Sequence, residues 1–596
     1  MSTHRASRRE FLKGTGCLLV GFNMLPADAL AAQEGRRARL PGSLSGWPDV
    51  DSWLRINADG TITVLTGKME IGQGIRTAVA QIAAEELDVA IGRVRVTIAD
   101  TGVTPNEGYT AASMSIESSG MAIRSAAAEA RQMLLELAGQ KLNAGIDRLE
   151  VSDGTIRDRA EQGSVTYWDL LGGKRLQRKA SGTAPIKRPE QHTVVGKPVE
   201  RLEIPDMITG RPVYVQDMRL PGMLHGRILR PPSYSAVLQS IPEAEVAVME
   251  GILKVVRDGS FVGVIAQREE QAVWAVERLK LQAKWKESEQ MPAFRGFYAQ
   301  IRKLPVKDST VREVGKVEEA MRSAKTRVEA TYIRPYHMHA SIGPSCAIAQ
   351  LADGQMTVWT HSQGPYPLRA TLANLLGMPA EKIRAIGVPG SGCYGHNGAD
   401  DVAADAALLA RALPGKPIRV QWSREDEHRW EPYGSAMMFD VRGGLDENGN
   451  IVAWDYLLWS DMHGGRPGGD ASAFLAARYL ANPREPRRGL SVGGGSRNSE
   501  PLYDLPNQRI IARAFHGPLR VSSLRGLGAY GNIFALESFM DELAHAGKVD
   551  PVAFRLRHLR DPRGRAVIEA AAKAGQWGTQ RPVGRGLGFA FARYKN

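Results

Sequence analysis

A multidomain protein mixing α/β and α+β layers is the fold class this sequence predicts, and three observations predict it. The chain has 596 residues, more than one hydrophobic core supports. Hydrophobic residues make up 43% of it and charged residues 24%, the balance of a globular protein. One order of parts also occurs twice: a β-hairpin, an x-Gln-Gly turn, an apolar helix, then a strand.

The first copy opens with Trp53 to Ile56, turns at Asn57-Ala58-Asp59-Gly60 and returns through Thr61 to Thr66. Gly72-Gln73-Gly74 follows, then a helix from Arg76 to Leu87 with Val79, Ile82, Ala83 and Leu87 on one face. A small-residue turn feeding a helix N-terminus can hold an anion, because free N–H groups and the helix dipole point outward there. Gly72 and Gly74 would let a phosphate approach the backbone, and Gln73 offers both a donor and an acceptor. Val94 to Ile98 completes the unit as a strand. A polar loop, Asp100 to Tyr109, then leads through Thr110-Ala-Ala-Ser-Met-Ser115 into a long helix with Ile123, Ala127, Ala130, Leu134 and Leu137 as its buried stripe. That run can face an oxyanion with hydroxyls and N–H groups, or serve as plain helix capping.

The second copy is a hairpin of Cys346 to Gln350 and Met356 to Thr360, turning at Asp353-Gly354. His361-Ser362-Gln363-Gly364, a helix from Pro367 to Leu376 and a strand from Ile383 to Val388 follow. Gln73 and Gln363 hold corresponding places, so two pseudo-equivalent units gripping one extended ligand are expected. Chance recurrence of a common unit is the rival reading.

Between the copies, residues 142 to 198 are polar with little periodicity and read as a connector. Strands are expected at Val213 to Val215, Met223 to Leu229, Ile252 to Val256 and Phe261 to Ala266, with a helix over Glu269 to Leu281 closing a compact α+β domain. Two more glycine-rich turns follow the second copy. Pro389-Gly-Ser-Gly-Cys-Tyr-Gly395 lacks both the P-loop and the Rossmann pattern. Leu524-Arg-Gly-Leu-Gly528 sets one arginine among glycines before a helix at Phe534 to Ala544, where it can fork onto phosphate or pterin-like oxygens or cap a carbonyl.

Composition removes several classes. The formal net charge is +13, but the basic residues are spread out, as at Arg36-Arg37, Lys187-Arg188 and Arg487-Arg488, so a solvated basic surface is expected and no nucleic-acid partner. Cys346 and Cys393, the cysteines beyond the leader, cannot build an iron–sulfur site or a disulfide scaffold alone. His337-Met338-His339 lacks a third ligand nearby and reads as structural.

Residues 1–32 read as an address. Ser7-Arg8-Arg9-Glu10-Phe11-Leu12-Lys13 is a twin-arginine export signature, followed by a short apolar run and small-residue cleavage sites. Cys17 stands in the wrong context for a lipoprotein. Export of an already folded protein to the periplasm, with a cofactor inserted beforehand, is expected.

Taken together, Gly72-Gln73-Gly74, Thr110 to Ser115, Ser362-Gln363-Gly364, Gly390 to Gly395 and Arg525 to Gly528 resemble the molybdenum-binding subunit of the xanthine oxidase family. The order of parts is similar to the branch that holds the isoquinoline 1-oxidoreductase β-subunit and nicotinate dehydrogenase, and the match runs from about Trp53 to the last residue. The resemblance implies xanthine oxidase-type molybdopterin-binding domains: an N-terminal segment with connector at 33–198, an α/β hammerhead domain at 199–295, and a second molybdopterin-binding domain at 296–596. It implies molybdopterin cytosine dinucleotide as cofactor and hydroxylation of an N-heteroaromatic or aldehyde carbon with oxygen from water. The partners it implies are a small [2Fe-2S] iron–sulfur subunit and a c-type cytochrome acceptor, with membrane association through them.

By motif match, Gln363 with Gly392, Cys393 and Tyr394 would border the molybdenum, and Ala112, Ser113 and Ser115 the pterin. Gln73 and Gly74 would meet the dinucleotide phosphates, and Arg525 would approach the metal centre. Either Cys393 or Tyr394 takes the place of an aromatic that follows three glycines in relatives. Trp430, Glu431 and Tyr433 are the candidate substrate residues. One departure stands out: the family's general base is a glutamate in Gly-x-Gly-Glu, and no such motif occurs here. The expectation is therefore that a second chain supplies the C-terminal segment, or that this is a truncated remnant without turnover. A periplasmic solute-binding protein is the reading from another class.

Overall fold

The structure, a computed structural model, describes residues 40–594 apart from 161–162, 289–290, 294 and 487–488. The expected export leader, with Cys17 and Arg36-Arg37, and the pair Arg487-Arg488 lie outside the described residues.

The first copy folds as a three-stranded sheet. Strands β1 (Leu54–Ile56) and β2 (Ile62–Thr66) are antiparallel, helix α1 (Ile75–Leu87) crosses over, and β3 (Val94–Ile98) returns parallel to β2. On α1, Val79, Ala83 and Leu87 are fully buried and Ile82 packs half-buried against the same core. Helix α2 (Met121–Leu142) covers that core with Ile123, Ala127, Ala130 and Leu134, while Leu137 stays half-buried. Each such aliphatic side chain contributes about 1.5–3 kcal/mol on burial.

The polar connector is fastened rather than loose. Strands β4 (Leu149–Ser152), β5 (Thr155–Asp158) and β6 (Ser164–Thr166) make a small antiparallel sheet. Further on, the N–H groups of Thr193, Val194 and Val195 all donate to the buried Glu85 carboxylate on α1. This tie uses acid–backbone bonds, so apolar periodicity does not reveal it.

The region after the connector holds β7 (Leu224–Leu229), β8 (Val237–Ser240), β9 (Ile252–Asp258), β10 (Phe261–Ala266), helix α3 (Glu269–Gln282) and β11 (Lys284–Lys286). Val213 to Val215, expected as a strand, forms instead a single 3₁₀ turn at Val215–Asp217. Strands β12 (Lys307–Val314) and β13 (Thr326–Arg334) come next. The second copy then supplies β14 (Cys346–Ala352), β15 (Gln355–Thr360), helix α4 (Pro365–Leu376) and β16 (Ile383–Gly387). Helix α5 (Ala399–Ala412) and β17 (Ile418–Gln421) follow.

One seven-stranded sheet runs β16-β15-β14-β17-β7-β10-β9. It crosses the sequence boundary expected near residue 296, because β7 pairs parallel with β17. Strands β7, β9 and β10 thus extend the second copy's sheet, whereas β8 pairs with β11 in a separate two-stranded sheet. Residues 399–410 of α5 are buried against β14 and β17, which is why alanine, leucine and valine dominate there, beside the buried Asp400, Asp401 and Asp405.

A five-stranded sheet, β12-β20-β19-β18-β13, uses β18 (Met437–Leu445), β19 (Ile451–Ser460) and β20 (Gln508–Ala514), with helix α6 (Ala529–Ala546) on one face. The C-terminal run from Gly584 forms no strand among its described residues. It is held by side chains instead: Phe591 N–H donates to Glu537, and the Arg593 carbonyl accepts from Asn498.

The two copies share one path. β14 and β15 are antiparallel and β15 and β16 parallel, as in β1, β2 and β3. The ends of β3 and β16 meet at a bridge between Asp100 and Ile386, where Asp100 also pairs with Arg384.

Candidate functional site

Where the copies meet lies a cavity of about 450 Å³. Its wall includes Gln73, then Ala112, Ser113 and Ser115, then Gln363, Cys393 with Tyr394, and Arg525. Five stretches far apart in the chain therefore reach one space. Gln73 and Gln363, at corresponding places in the two copies, both line it.

Gln363 is held from both ends. Its Nε2 donates to the Thr110 carbonyl at 2.9 Å, and its Oε1 accepts from Arg466 Nη1 at 2.6 Å. A guanidinium only donates and a carbonyl only accepts, so the amide orientation is fixed. The remaining Nε2–H and one Oε1 lone pair are left for a ligand. Thr110 N–H in turn donates to the Gln363 carbonyl. Arg466 also stacks over Tyr109, 5.0 Å from the ring centroid, and the Tyr109 hydroxyl donates to the Pro467 carbonyl. Burial lowers the Arg466 pKa.

The Thr110 turn is strained where it faces the cavity. Ala112 and Ser113 sit at φ 60° and 61°, a left-handed conformation that non-glycine residues hold only when their surroundings impose it. The imposed feature is a pair of adjacent residues exposed to the cavity, followed by one turn of π-helix at Ser115–Gly120. Such turns recur at sites where backbone groups must be re-aimed.

On the opposite wall, Arg525 N–H donates to the Tyr394 carbonyl at 2.7 Å, and the guanidinium lies 5.1 Å from the Tyr394 ring centroid. Cys393 and Tyr394 both line the cavity, so the structure brings both alternatives to the same edge. Burial pushes the Cys393 thiol pKa up, which keeps it a thiol at neutral pH. Gly395, at φ 137°, leaves no room for a Cβ against the Ser523 carbonyl.

Three expectations need correction. The helix N-terminus at Gly72 to Arg76 is already filled: the buried Glu70 carboxylate accepts from the N–H groups of Gly72, Gly74 and Arg76 at 2.9, 3.0 and 3.1 Å. Gly74 is an αL N-cap beneath Arg201 and does not line the cavity, so its backbone is not free for a phosphate. Gln73 remains on the wall, although its Oε1 accepts from Ile71 N–H and its Nε2 donates to the Met69 carbonyl. Gly392, at φ 134°, stands behind the wall with its carbonyl taken by Asn397 and Ser341.

The third correction concerns Trp430, Glu431 and Tyr433, which the structure does not bring to the cavity. Trp430 is buried against Tyr234 and Tyr479. Glu431, fully buried, accepts from His339 N–H and stands 3.3 Å from His339 Nδ1. Tyr433 bridges to Val521 and donates its hydroxyl to the His428 carbonyl. Packing accounts for all three.

The sequence reading missed Arg466, Arg497, Ser523 and Tyr594, which complete the wall. Arg497 Nη1 donates to the Tyr594 hydroxyl at 2.6 Å, and Asn532 on α6 holds the Arg497 carbonyl at 2.8 Å. The glycine clusters beside them, His463-Gly-Gly-Arg466 and Gly493-Gly-Gly-Ser-Arg497, carry the same arginine-among-glycines pattern as Arg525 and could have flagged both.

The donor set suits an anion. Arg466, Arg497 and Arg525 line the cavity; among the described residues no carboxylate lines it, and none pairs with these three arginines. Arg466 and Arg497 are half-buried and Arg525 is exposed, and three unpaired cations gathered around one space favour an opposite charge there. A phosphate-bearing pterin therefore fits this wall: strained backbone and hydroxyls at Ala112 to Ser115, amide groups at Gln73 and Gln363, and three guanidinium forks.

Comparison with known proteins agrees. Two stretches, residues 3–199 and residues 303–483, match the molybdopterin cofactor-binding domain. The chain is 38% identical over 608 residues to a nicotinate dehydrogenase subunit of Pseudomonas putida, covering 99% of this chain and 50% of that protein. To the isoquinoline 1-oxidoreductase β-subunit of Brevundimonas diminuta it is 26% identical over 652 residues, covering 100% of this chain and 81% of that one. It thus spans half the length of the first relative. Two solved structures share the fold. Quinoline 2-oxidoreductase from Pseudomonas putida 86 has a TM-score of 0.53 at 18% identity, over 64% of this chain and 54% of that one. Aldehyde oxidoreductase from Desulfovibrio gigas has a TM-score of 0.54 at 18% identity, over 69% and 49%. The two domain matches, the relatives and the cavity lead to one conclusion: this chain belongs to the molybdenum-binding subunits of the xanthine oxidase family.

Proposed function

We propose that this chain is the molybdenum-binding part of an oxidoreductase that hydroxylates an electron-poor carbon, in an N-heteroaromatic ring or an aldehyde, with oxygen taken from water. The observation that carries the reading is the single cavity reached by five distant stretches, with three arginines and no carboxylate on its wall among the described residues. The relatives named for nicotinate and isoquinoline oxidation support the substrate class.

The cofactor is proposed to be molybdopterin cytosine dinucleotide; bound here, it supplies a molybdenum centre that accepts two electrons from the substrate carbon. The chain's own residues do the rest. Ala112 and Ser113 present strained backbone, and Ser115 a hydroxyl, to the pterin side. Arg466, Arg497 and Arg525 neutralise phosphate and pterin oxygens with fixed donors, which costs little reorganisation. Gln363, locked by Arg466 and Thr110, offers its free N–H in one direction only. Tyr394, under Arg525, would help to shield the bound group from bulk water.

A proton acceptor is the piece this wall does not offer. General-base catalysis is commonly worth about 10²–10⁴-fold, so a carboxylate from a further polypeptide segment is proposed to complete the site. Electrons would leave through a small [2Fe-2S] protein and on to a c-type cytochrome, and the Ser7 to Lys13 signature supports folded export to the periplasm.

The test is co-expression with the neighbouring genes in a host that makes the cofactor. Molybdenum and a cytidine nucleotide in near-stoichiometric amount are expected, with dye-linked oxidation of N-heteroaromatics or aldehydes only when the partner chains are present. A folded chain that carries neither molybdenum nor cytidine nucleotide under those conditions refutes the reading.

A further inference from the structure

We propose a second ligand site, for a small organic carboxylate with an apolar body, centred on Arg478 between the β8 hairpin region and the segment that follows β19. It shares no residue with the cavity at Gln363 and does not rest on the cofactor assignment.

The site is a cavity of about 560 Å³. Tyr234, Leu238, Arg257, Arg478, Tyr479 and Glu485 stand on its wall. Arg478 also faces a smaller adjoining cavity of about 300 Å³, so its guanidinium divides two spaces. The side chain is half-buried, its Nε is sealed from solvent without a hydrogen-bond partner, and no described residue pairs with it.

Two other buried arginines have carboxylate partners. Arg520 pairs with Asp401 and also donates to the carbonyls of Trp430 and Ala473. Arg230 pairs with Asp405. All three keep an Nε without a partner, but Arg478 is the one of the three with no carboxylate in ion-pair contact among the described residues, and it faces open space. A half-buried guanidinium with one N–H sealed from water and no counter-ion in contact is unfavourable, and a ligand anion removes part of that penalty. Its pKa is lowered by burial and by the nearby Arg520 charge, as expected of a cation lacking its counter-charge.

The wall also sets the class. Arg257, Arg478 and Glu485 leave one net positive charge, which matches a monoanion better than a phosphate dianion. Ala236, Leu238, Leu480 and Pro483 give the wall an apolar stretch beside Ser235, Ser260 and Ser288. Behind it, Tyr234 stands edge-on to Trp430 at 4.9 Å and Tyr479 edge-on to the same ring at 6.2 Å, a rigid aromatic backing. A flat apolar body with one carboxylate fills such a wall, with the carboxylate forked by Arg478.

The full-length chain is titrated with benzoate, acetate and inorganic phosphate by calorimetry, as wild type, Arg478→Met, Arg478→Lys and Arg466→Met. Benzoate is expected to bind more tightly than acetate or phosphate, to weaken at least about tenfold in Arg478→Met, and to be unchanged in Arg466→Met. Loss in Arg466→Met with retention in Arg478→Met would place the ligand in the Gln363 cavity and overturn the proposal. Phosphate binding more tightly than benzoate at Arg478 overturns the ligand class. Should Arg478→Met fail to fold, a wild-type crystal soaked with 4-bromobenzoate decides: a bromine anomalous peak in this cavity supports the site, and its absence at full occupancy elsewhere rejects it.

Discussion

Replacing Arg466 with methionine separates a ligand-binding arginine from a merely structural one, because the two roles predict opposite effects on the empty and the filled protein. In the empty chain Arg466 gains a charge-assisted bond to Gln363, worth about 1.5–3 kcal/mol, and a stack on Tyr109, worth about 0.5–2 kcal/mol. Against this stands the desolvation of a cation with no carboxylate partner among the described residues, itself several kcal/mol. The terms nearly cancel, so the empty Arg466→Met protein is expected to melt within about 1 kcal/mol of wild type. Removing the guanidinium also frees the Gln363 amide to turn over, since only the Thr110 carbonyl then constrains it. With an anionic ligand bound, the arginine's counter-charge is present, and losing a buried charge-assisted contact costs about 2–5 kcal/mol. That is at least about a 30-fold loss of affinity. The assay pairs differential scanning calorimetry of the ligand-free chain with calorimetric titration of pyrophosphate and with molybdenum retention after dialysis. Wild-type retention and pyrophosphate affinity in Arg466→Met would refute the reasoning. So would a collapse of the ligand-free melting temperature.

Glu70→Ala removes the cap from three N–H groups and should cost about 1–2 kcal/mol in urea unfolding; an unchanged midpoint would show that water replaces the carboxylate without loss. Gly528→Ala puts a Cβ into the Gly495 carbonyl, and about 3 kcal/mol of destabilisation is expected, visible as loss of soluble protein; normal yield would contradict the packing. Acid stability follows from two buried histidines. Burial lowers His361 to about 4 and His463 to about 3, so below pH 6.5 the unfolded chain binds protons the fold refuses. Stability should fall between pH 6.5 and 5 by about 2 kcal/mol per histidine, and a flat urea midpoint over that range would exclude it. Glu427 has the opposite sign: burial raises it to about 7, so its carboxylate costs stability as pH rises from 4.5 through 7. Glu427→Gln should therefore stabilise the protein at pH 8 and not at pH 5.

Much of the fold was legible because local rules and tertiary packing agree. The strand Val94–Ile98 and the helix α1 appear where alternation and 3.6-residue spacing place them. The helix α6 starts at Ala529, five residues before the expected start, because Asn532 and Gly531 are buried and periodicity at its N-terminus is masked by small residues. The run at Val213 to Val215 reads as a strand from β-branched content, yet the Val215 N–H goes to the Pro389 carbonyl outside any strand pairing and the chain curls into a 3₁₀ turn there. The shared seven-stranded sheet was not legible, since β7 and β17 are nearly two hundred residues apart and nothing local records their register.

The site shows the same division for a physical reason. Motifs report backbone shape, and the small-residue turns at Ala112, Gln363, Tyr394 and Arg525 did reach one cavity. They do not report occupancy. The Gly72 to Arg76 turn has the shape of an anion site, but Glu70, two residues upstream of Gly72, supplies the anion internally. Conversely, the cations left without a protein anion are the ones that point to a ligand, and two of the three, Arg466 and Arg497, lie in loops with no recognised motif. A buried arginine is thus informative only once its partners are known. Arg520, paired with Asp401, is architecture, whereas Arg466, which finds an amide, a hydroxyl and an aromatic ring but no carboxylate among the described residues, marks where a ligand's negative charge belongs.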